Sequence, residues 1–206
     1  MANRNQEKYP AENDFPNLDK TTAMLKDCMP LDVYAKLRDV YTPSGFTLDR
    51  AIQSCVDLPT TEKIGIVAGD EESYAVFAEV FDNIIEKRHG IKLSECINKT
   101  DLDPKKITGC VLDEKYVISS RVRTSRNLRG YCLSPFCCRS ERREVERILS
   151  DALTTISNGE YHPLVTMDEC LRQTLVNDHY LFRTPTTGFQ LSAGCARDWP
   201  DARGIW

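Results

Sequence analysis

Apolar positions along this 206-residue chain recur with two different periods. Leu31, Tyr34, Leu37 and Tyr41 return every three to four residues, which predicts an amphipathic helix that Thr42-Pro43-Ser44-Gly45 stops. A second short helix starts near Thr47 and uses Leu48, Ile52 and Val56. After Gly65-Ile66-Val67-Ala68-Gly69, Asp70 suits an N-cap and Glu71 and Glu72 suit the positive end of a helix. Tyr74, Phe77, Phe81, Ile84 and Ile85 then line one face, read here as core packing, and Gly90 ends the helix behind Lys87, Arg88 and His89. From Ser140-Glu141 a strongly helical stretch carries Val145, Ile148, Leu149 and Leu153 on one side, and Met167 to Asn177 reads as another helix with Leu171, Leu175 and Val176 apolar. Tyr116 to Thr124 alternates instead with period two, which predicts a strand. Phe189 to Ala193 also reads as a strand, before Trp199-Pro200 breaks the pattern.

Between these elements the chain punctuates itself. Residues 1–29 are polar and irregular, with Pro10 and Pro16 preventing a long helix. Asp57 to Lys63 is a polar loop, and residues 91–115, with Pro104, Gly109 and dispersed charges, read as a connection. The expected organisation is a helical domain over 1–99, a linker over 100–115 and a strand-containing domain over 116–206.

Composition narrows the class. With 41% hydrophobic residues the chain can bury a core, and no run approaches a membrane span. The first residues are too polar for a secretory segment, so a cytoplasmic address is expected, with a mitochondrial or flagellar one as the alternative. Residues 1–114 hold 14 basic against 21 acidic side chains and residues 115–206 hold 13 against 10, so the first part repels an anion that the second attracts. A net charge of −4 argues against a nucleic-acid partner. Nine cysteines without a Cys-x-x-Cys, and three scattered histidines, give neither a disulfide framework nor a metal-ligand spacing; Cys137-Cys138 is the pair most open to oxidation.

The candidate chemistry lies in the alternating segment. As a strand it would place Tyr116, Ile118, Ser120 and Val122 on one face and Val117, Ser119, Arg121 and Arg123 on the other, so that two guanidinium groups project together. Such a pair can be a solvated face, or it can grip a polyanion with planar forks of donors. Arg121, Arg123, Arg126 and Arg129 crowd into nine residues, with no acidic residue between Lys115 and Ser140, and like charges this close repel unless something negative lies between them. There is no Walker A sequence and no Gly-x-Gly-x-x-Gly, so an arginine clamp would have to replace a glycine-rich phosphate loop.

SSRVRTSRNLRGYCL, then ERREVER, NDHYLF and ARDWPDARGIW, with GIVAGDEESYAVFAEVFDNIIEKRHG earlier, resembles the phosphagen (ATP:guanidino) kinases and among them the creatine kinases. The likeness runs from about Tyr9 to Trp206 in several blocks in one order. It implies an all-α N-terminal domain followed by the first part of an antiparallel-sheet α/β catalytic domain, and reversible transfer of the ATP γ-phosphoryl group to creatine. It implies ATP or ADP, with Mg2+ carried on the nucleotide, as the cofactor. Ser119, Ser120, Arg121, Val122 and Arg123 match the family's nucleotide-binding strand, with Arg121 and Arg123 on the phosphates as the catalytic arginines, and His179 matches a histidine near the base. Ile64, Gly65, Ile66 and Val67 match the segment that closes over the guanidino substrate, although Ile64 and Ile66 read equally well as core.

Two features depart from the creatine kinase pattern. The loop Asp57 to Lys63 is shorter, in a family where its length goes with substrate size, and Arg183 stands where an acidic residue is usual. The family's chain also normally continues past the equivalent of Trp206 through an acidic pair, a reactive cysteine and further arginines, so this chain reads as incomplete in its catalytic domain. The expected partners are creatine or a related guanidino compound and further copies or subunits, with no nucleic acid and no membrane. The alternatives are a non-catalytic binding or structural subunit of a larger assembly, or a kinase for another guanidino compound.

Overall fold

The computed structural model describes residues 9–96, 99–109, 111–120, 122–156 and 158–206. Four helices open the chain: α1 (Ala11–Asp14), α2 (Leu25–Cys28), α3 (Leu31–Leu37) and α4 (Leu48–Asp57). Helix α3 ends a turn earlier than the apolar period suggests, because Tyr41 pairs across a tight turn with Thr47. Thr47 then caps α4, its side chain accepting from the Arg50 N–H. Leu48, Ala51, Ile52 and Cys55 make the buried face of that helix.

The helix expected after Asp70 is present in two pieces, α5 (Ser73–Val76) and α6 (Ala78–His89), broken at Phe77. Phe77 is fully buried, and its N–H still reaches the Ser73 carbonyl at 3.0 Å while its carbonyl takes the Val80 N–H at 3.0 Å. Gly90 ends α6 in the left-handed conformation, with Lys87, Arg88 and His89 in the last turn beside the exposed carbonyls. One continuous core fills this domain, running from Leu18 through Leu25, Met29, Phe46 and Ile52 to Phe77, Val80 and Ile84.

The centre of that core is polar. Asp70 is 3% exposed, and its carboxylate accepts from the Thr42 and Ser44 hydroxyls on one oxygen and from the Ser73 hydroxyl (2.6 Å) and N–H (2.8 Å) on the other. Burial opposes its ionisation, but the Ser44, Ser73 and Thr42 donors outweigh burial and hold the carboxyl below the usual carboxylate range. Gly69 lies under the Phe46 ring, where a Cβ would come within 2.3 Å, and its carbonyl takes the Leu133 N–H at 2.8 Å. Phe136 packs edge-on against Phe46 at 5.4 Å. The second part of the chain is thus pinned to the first at the foot of α5.

That second part contains α7 (Arg139–Ile156), β1 (His162–Pro163), α8 (Glu169–Asn177), α9 (Gly188–Ser192) and β2 (Gly204–Ile205). β1 and β2 pair antiparallel, His162 with Ile205 and Pro163 with Gly204. The architecture is a helical N-terminal domain followed by a partial α/β domain with a small antiparallel sheet. Glu141, in the first turn of α7, accepts the N–H groups of Cys132 (2.9 Å) and Cys138 (3.2 Å) and so fixes the intervening loop. The arginines of ERREVER serve structure: Arg142 pairs with Asp198, Arg143 with Asp201 and Arg147 with Glu144 and Asp151, while Arg139 just before them also pairs with Asp198. The eight cysteines described are free thiols; Cys137 is buried and Cys138 exposed. Burial pushes the Cys132 thiol up to about 11, with the Glu141 carboxylate adding to it, whereas the Ser140 hydroxyl and the Glu141 N–H hold Cys138 below the ordinary thiol value.

Two expected strands are absent among the described residues. Phe189 to Ala193 lies in helix α9 and its C-cap, because Thr187 and Gln190 close a reciprocal capping box. Tyr116 to Thr124 makes no ladder among the described residues; Ile118 is 95% and Val122 90% exposed. Alternation prepares two faces, but a strand also needs a neighbour to complete its N–H and C=O groups, and no described strand lies alongside.

Two substitutions test this packing. Asp70→Ala should cost on the order of 3 kcal/mol in urea unfolding, because the donors around it lose a buried charged acceptor. The Asp70 carboxyl is depressed in the folded state, so its contribution should be full above the unfolded value of about 3.9 and fall away as pH drops through the lower folded value. An unfolding series from pH 6 to 2, compared with the variant, reads this directly. Gly65→Ala places a methyl 2.6 Å from the Leu25 Cβ at φ +96 and should cost about 2–4 kcal/mol by the same measurement.

Candidate functional site

Helix α8 begins at Asp168, whose carboxylate accepts the Leu171 N–H at 3.0 Å. At its far end His179 adopts φ 64, a left-handed position that glycine usually fills, and the chain reverses. The N–H groups of Tyr180 (2.9 Å) and Leu181 (3.0 Å) return to the Leu175 carbonyl. Leu181 folds into a small apolar cluster with Leu164 and Val176. The reversal therefore fixes the backbone of His179 at the rim of a cavity of about 990 Å³.

Described residues of the segment expected to be a strand also line that cavity. Ser119, Ser120 and Arg123 line it together with His179, Tyr180, Phe182 and Arg183. Two hydroxyls and two guanidinium side chains thus share one space with an imidazole and exposed aromatic rings. Asp178 is the acidic member of the lining. Donors of this kind suit a polyanion carrying a flat aromatic group, and the volume lies within the range of small-molecule sites. Val122 is exposed and stands outside the lining, and Arg121 lies outside the described residues.

Ile64 to Val67 lies elsewhere, on the helical domain. Lys63 and Ile64 offer their carbonyls to the N–H groups of Met24 (2.9 Å) and Leu25 (3.1 Å), and Val67 donates to the Ala51 carbonyl at 2.9 Å. Ile66 is 7% exposed and belongs to the core, while Ile64 keeps its side chain at the surface. The two readings of this segment thus separate by residue. None of its residues lines the His179 cavity, so the two groups of candidates are not brought into one space.

One feature connects them. The Ser192 hydroxyl on α9 donates to the Asp57 carboxylate at the end of α4, and Gly188 approaches the Leu58 side chain so closely that a Cβ would come within 2.9 Å. Gln53 holds the other oxygen of Asp57 at 2.8 Å. Helix α9, which starts five residues after Arg183, is therefore clasped to the loop that leads into Ile64. Neither Asp57 nor Ser192 was legible as a partner in the sequence, since 135 positions separate them.

Comparison with known proteins bears on both regions. The family model described as the ATP:guanido phosphotransferase N-terminal domain matches residues 19–86, and that of the ATP:guanido phosphotransferase C-terminal catalytic domain matches residues 142–206. The chain is 54% identical over 210 residues to an arginine kinase of Stichopus japonicus, covering 100% of this chain and 56% of that protein. It is 46% identical over 211 residues to the M-type creatine kinase of Bos taurus, covering 99% of this chain and 55% of the other. A crystal structure of lombricine kinase superposes with a TM-score of 0.90 at 40% identity, over 97% of this chain and 56% of that one. The chain spans about half the length of these relatives. With both domain models matched in order along one polypeptide, the chain belongs to the ATP:guanido phosphotransferase, or phosphagen kinase, family.

Proposed function

We propose that the chain takes part in reversible phosphoryl transfer between ATP and a guanidino nitrogen. The observation that carries this reading is the shared cavity of Ser119, Ser120, Arg123 and His179. In the reaction the bond between the γ-phosphorus and the ADP oxygen breaks, a phosphorus–nitrogen bond forms, and the guanidino nitrogen gives up a proton. The protein has little covalent work in such a transfer, so positioning and charge neutralisation carry the catalysis. Arg121 and Arg123 are assigned to the phosphates, the Ser119 and Ser120 hydroxyls and the Val122 backbone to holding them, and His179 to the base. Magnesium would come bound to the phosphates and neutralise charge on them.

The acceptor segment in this reading is Ile64 to Val67. Ile64 supplies an exposed apolar side chain that can exclude water from the guanidino end, while Gly65 and Ile66 fix the segment from within. Creatine and L-arginine are the two acceptors to weigh. L-arginine is favoured by the higher identity to an arginine kinase and by the short loop Asp57 to Lys63. Residues 1–99 form the helical domain in this reading, 100–115 the linker and 116–206 the start of the catalytic domain.

A second reading has its own observation. The exposed, unladdered segment around Ile118 and Val122 is an edge that a partner would cover, as in a non-catalytic subunit of a larger assembly.

Arg121→Ala, Arg123→Ala and His179→Ala should each weaken ADP binding, the arginines by more than about tenfold, since a charge-assisted bond contributes roughly 1.5–3 kcal/mol. Calorimetry giving parent affinity for both arginine variants would remove the clamp. Incubation with magnesium-ATP and, separately, creatine, L-arginine, taurocyamine and lombricine, followed by 31P NMR, should reveal a phosphorus–nitrogen product, with L-arginine fastest. Absence of product with all four, together with a stable complex with another chain, would favour the binding-subunit reading.

A further inference from the structure

Four arginines crowd between Arg121 and Arg129, and the transfer reaction uses only the first two of them. Arg126 and Arg129 line a separate cavity of about 430 Å³, of which Arg123 forms no part. Tyr131 lines it from the same segment, and Glu71 and Tyr74 line it from the helical domain, at the start of α5. The cavity therefore lies where the two parts of the chain meet. Its frame is fixed on both sides. Leu133, whose N–H is tied to the Gly69 carbonyl at 2.8 Å, is a further lining residue, and Gly130 at φ 80 turns the chain between Arg129 and Tyr131. The Tyr74 ring packs against Phe81 with centroids 4.9 Å apart. Among the described residues neither arginine has an acidic partner: Arg126 donates from Nη1 to the Ser125 carbonyl at 2.6 Å, and Arg129 enters no ion pair. Two positive side chains and one carboxylate, Glu71, share the space without pairing.

We propose that this cavity is a second oxyanion site, separate from the His179 cavity, that takes one tetrahedral phosphate group and bridges the two domains. Guanidinium groups this close repel one another unless an anion lies between them, and their planar forks match the oxygens of a phosphate. Tyr74 and Tyr131 bring a phenol from each part of the chain. Glu71 limits the charge of the occupant: a single dianion is attracted by the two arginines, whereas a polyphosphate tail would meet more repulsion from the carboxylate. Inorganic phosphate is the smallest ligand of this chemistry, and a phosphate ester carries the same group. An anion held by Arg126 and Arg129 on one part and by Tyr74 on the other adds a second link beside the Gly69 to Leu133 hydrogen bond. The site goes beyond the phosphotransferase reading and does not depend on it.

Titration with sodium phosphate at constant ionic strength, followed by amide NMR, tests this. The Arg126, Asn127, Arg129 and Tyr131 resonances should move to saturation in the parent and equally in Arg123→Ala, which removes an arginine of the other cavity. Arg126→Ala and Arg129→Ala should each weaken phosphate by roughly three- to tenfold, the worth of one exposed charge pair, and the double variant should lose the response. Arg129→Lys keeps the charge without the fork and should fall between parent and Arg129→Ala. Parent-like Gly69 and Leu133 resonances in the ligand-free variants report an intact junction. Tyr74→Phe keeps the ring on Phe81 and should weaken phosphate by about two- to fivefold; parent affinity there would overturn the bridge. Glycerol phosphate should move the same resonances, and the tighter of the two ligands names the source of the group. Magnesium-ADP should move Ser119, Ser120 and His179 instead. If it moves nothing while phosphate still saturates, the second site stands and the phosphotransferase reading falls. A response matched by chloride or linear in phosphate means an adventitious ion only and sinks the proposal. So does parent affinity in the double variant, or loss of the response in Arg123→Ala.

Discussion

A single buried carboxylate organises the junction on which the rest of the molecule is assembled. An ionised group taken out of water is tolerated only when donors replace its hydration, and Asp70 gathers them from Thr42 and Ser44 on one side and Ser73 on the other. Those contacts fix the turn before α4 against the start of α5. With the turn fixed, Phe46 lies over Gly69 and meets Phe136, and the Gly69 carbonyl is left to take the Leu133 N–H. The position of the second domain thus follows from a requirement for charge satisfaction in the first.

The two domains are built to different standards. The helical domain has one continuous core with several side chains wholly out of water, whereas the second has a buried cluster of Leu164, Val176 and Leu181 and a long helix, α7, with no buried residue. Ion pairs from Arg139, Arg142 and Arg143 to Asp198 and Asp201 hold its terminal segment to α7 where apolar contact is thin. Local opening concentrates where buried apolar contacts are few, so mobility is expected around the His179 cavity and rigidity around the Ile64 segment. The Ser192 hydroxyl on α9 and the Asp57 carboxylate at the end of α4 tie the two parts together between these regions.

The comparisons and the geometry agree at the level of family and meet at different residues. Arg123 and His179, distant in sequence, line one cavity, although among the described residues the segment that carries the arginine makes no ladder. Ile66, one of the residues matched to the acceptor segment, turns out to be core, and the exposed features of that segment are Ile64 and the backbone donors facing Glu62.

Local chemistry was sufficient wherever an element is decided by its own residues. The cap at Thr47, the left-handed stop at Gly90, the amphipathic faces of α4 and α6 and the helices from Arg139 and Glu169 were all legible, because capping and helical periodicity act within a few positions. The Thr187–Gln190 capping box was also written there, and the short apolar run beside it masked it. Tertiary structure alone decided whether Tyr116 to Thr124 becomes a strand, since a ladder needs another segment's backbone. It alone decided that Asp70 meets the Thr42 and Ser44 hydroxyls and that Ser192 reaches Asp57. Each of these depends on where the chain returns in space, which no spacing along the sequence records.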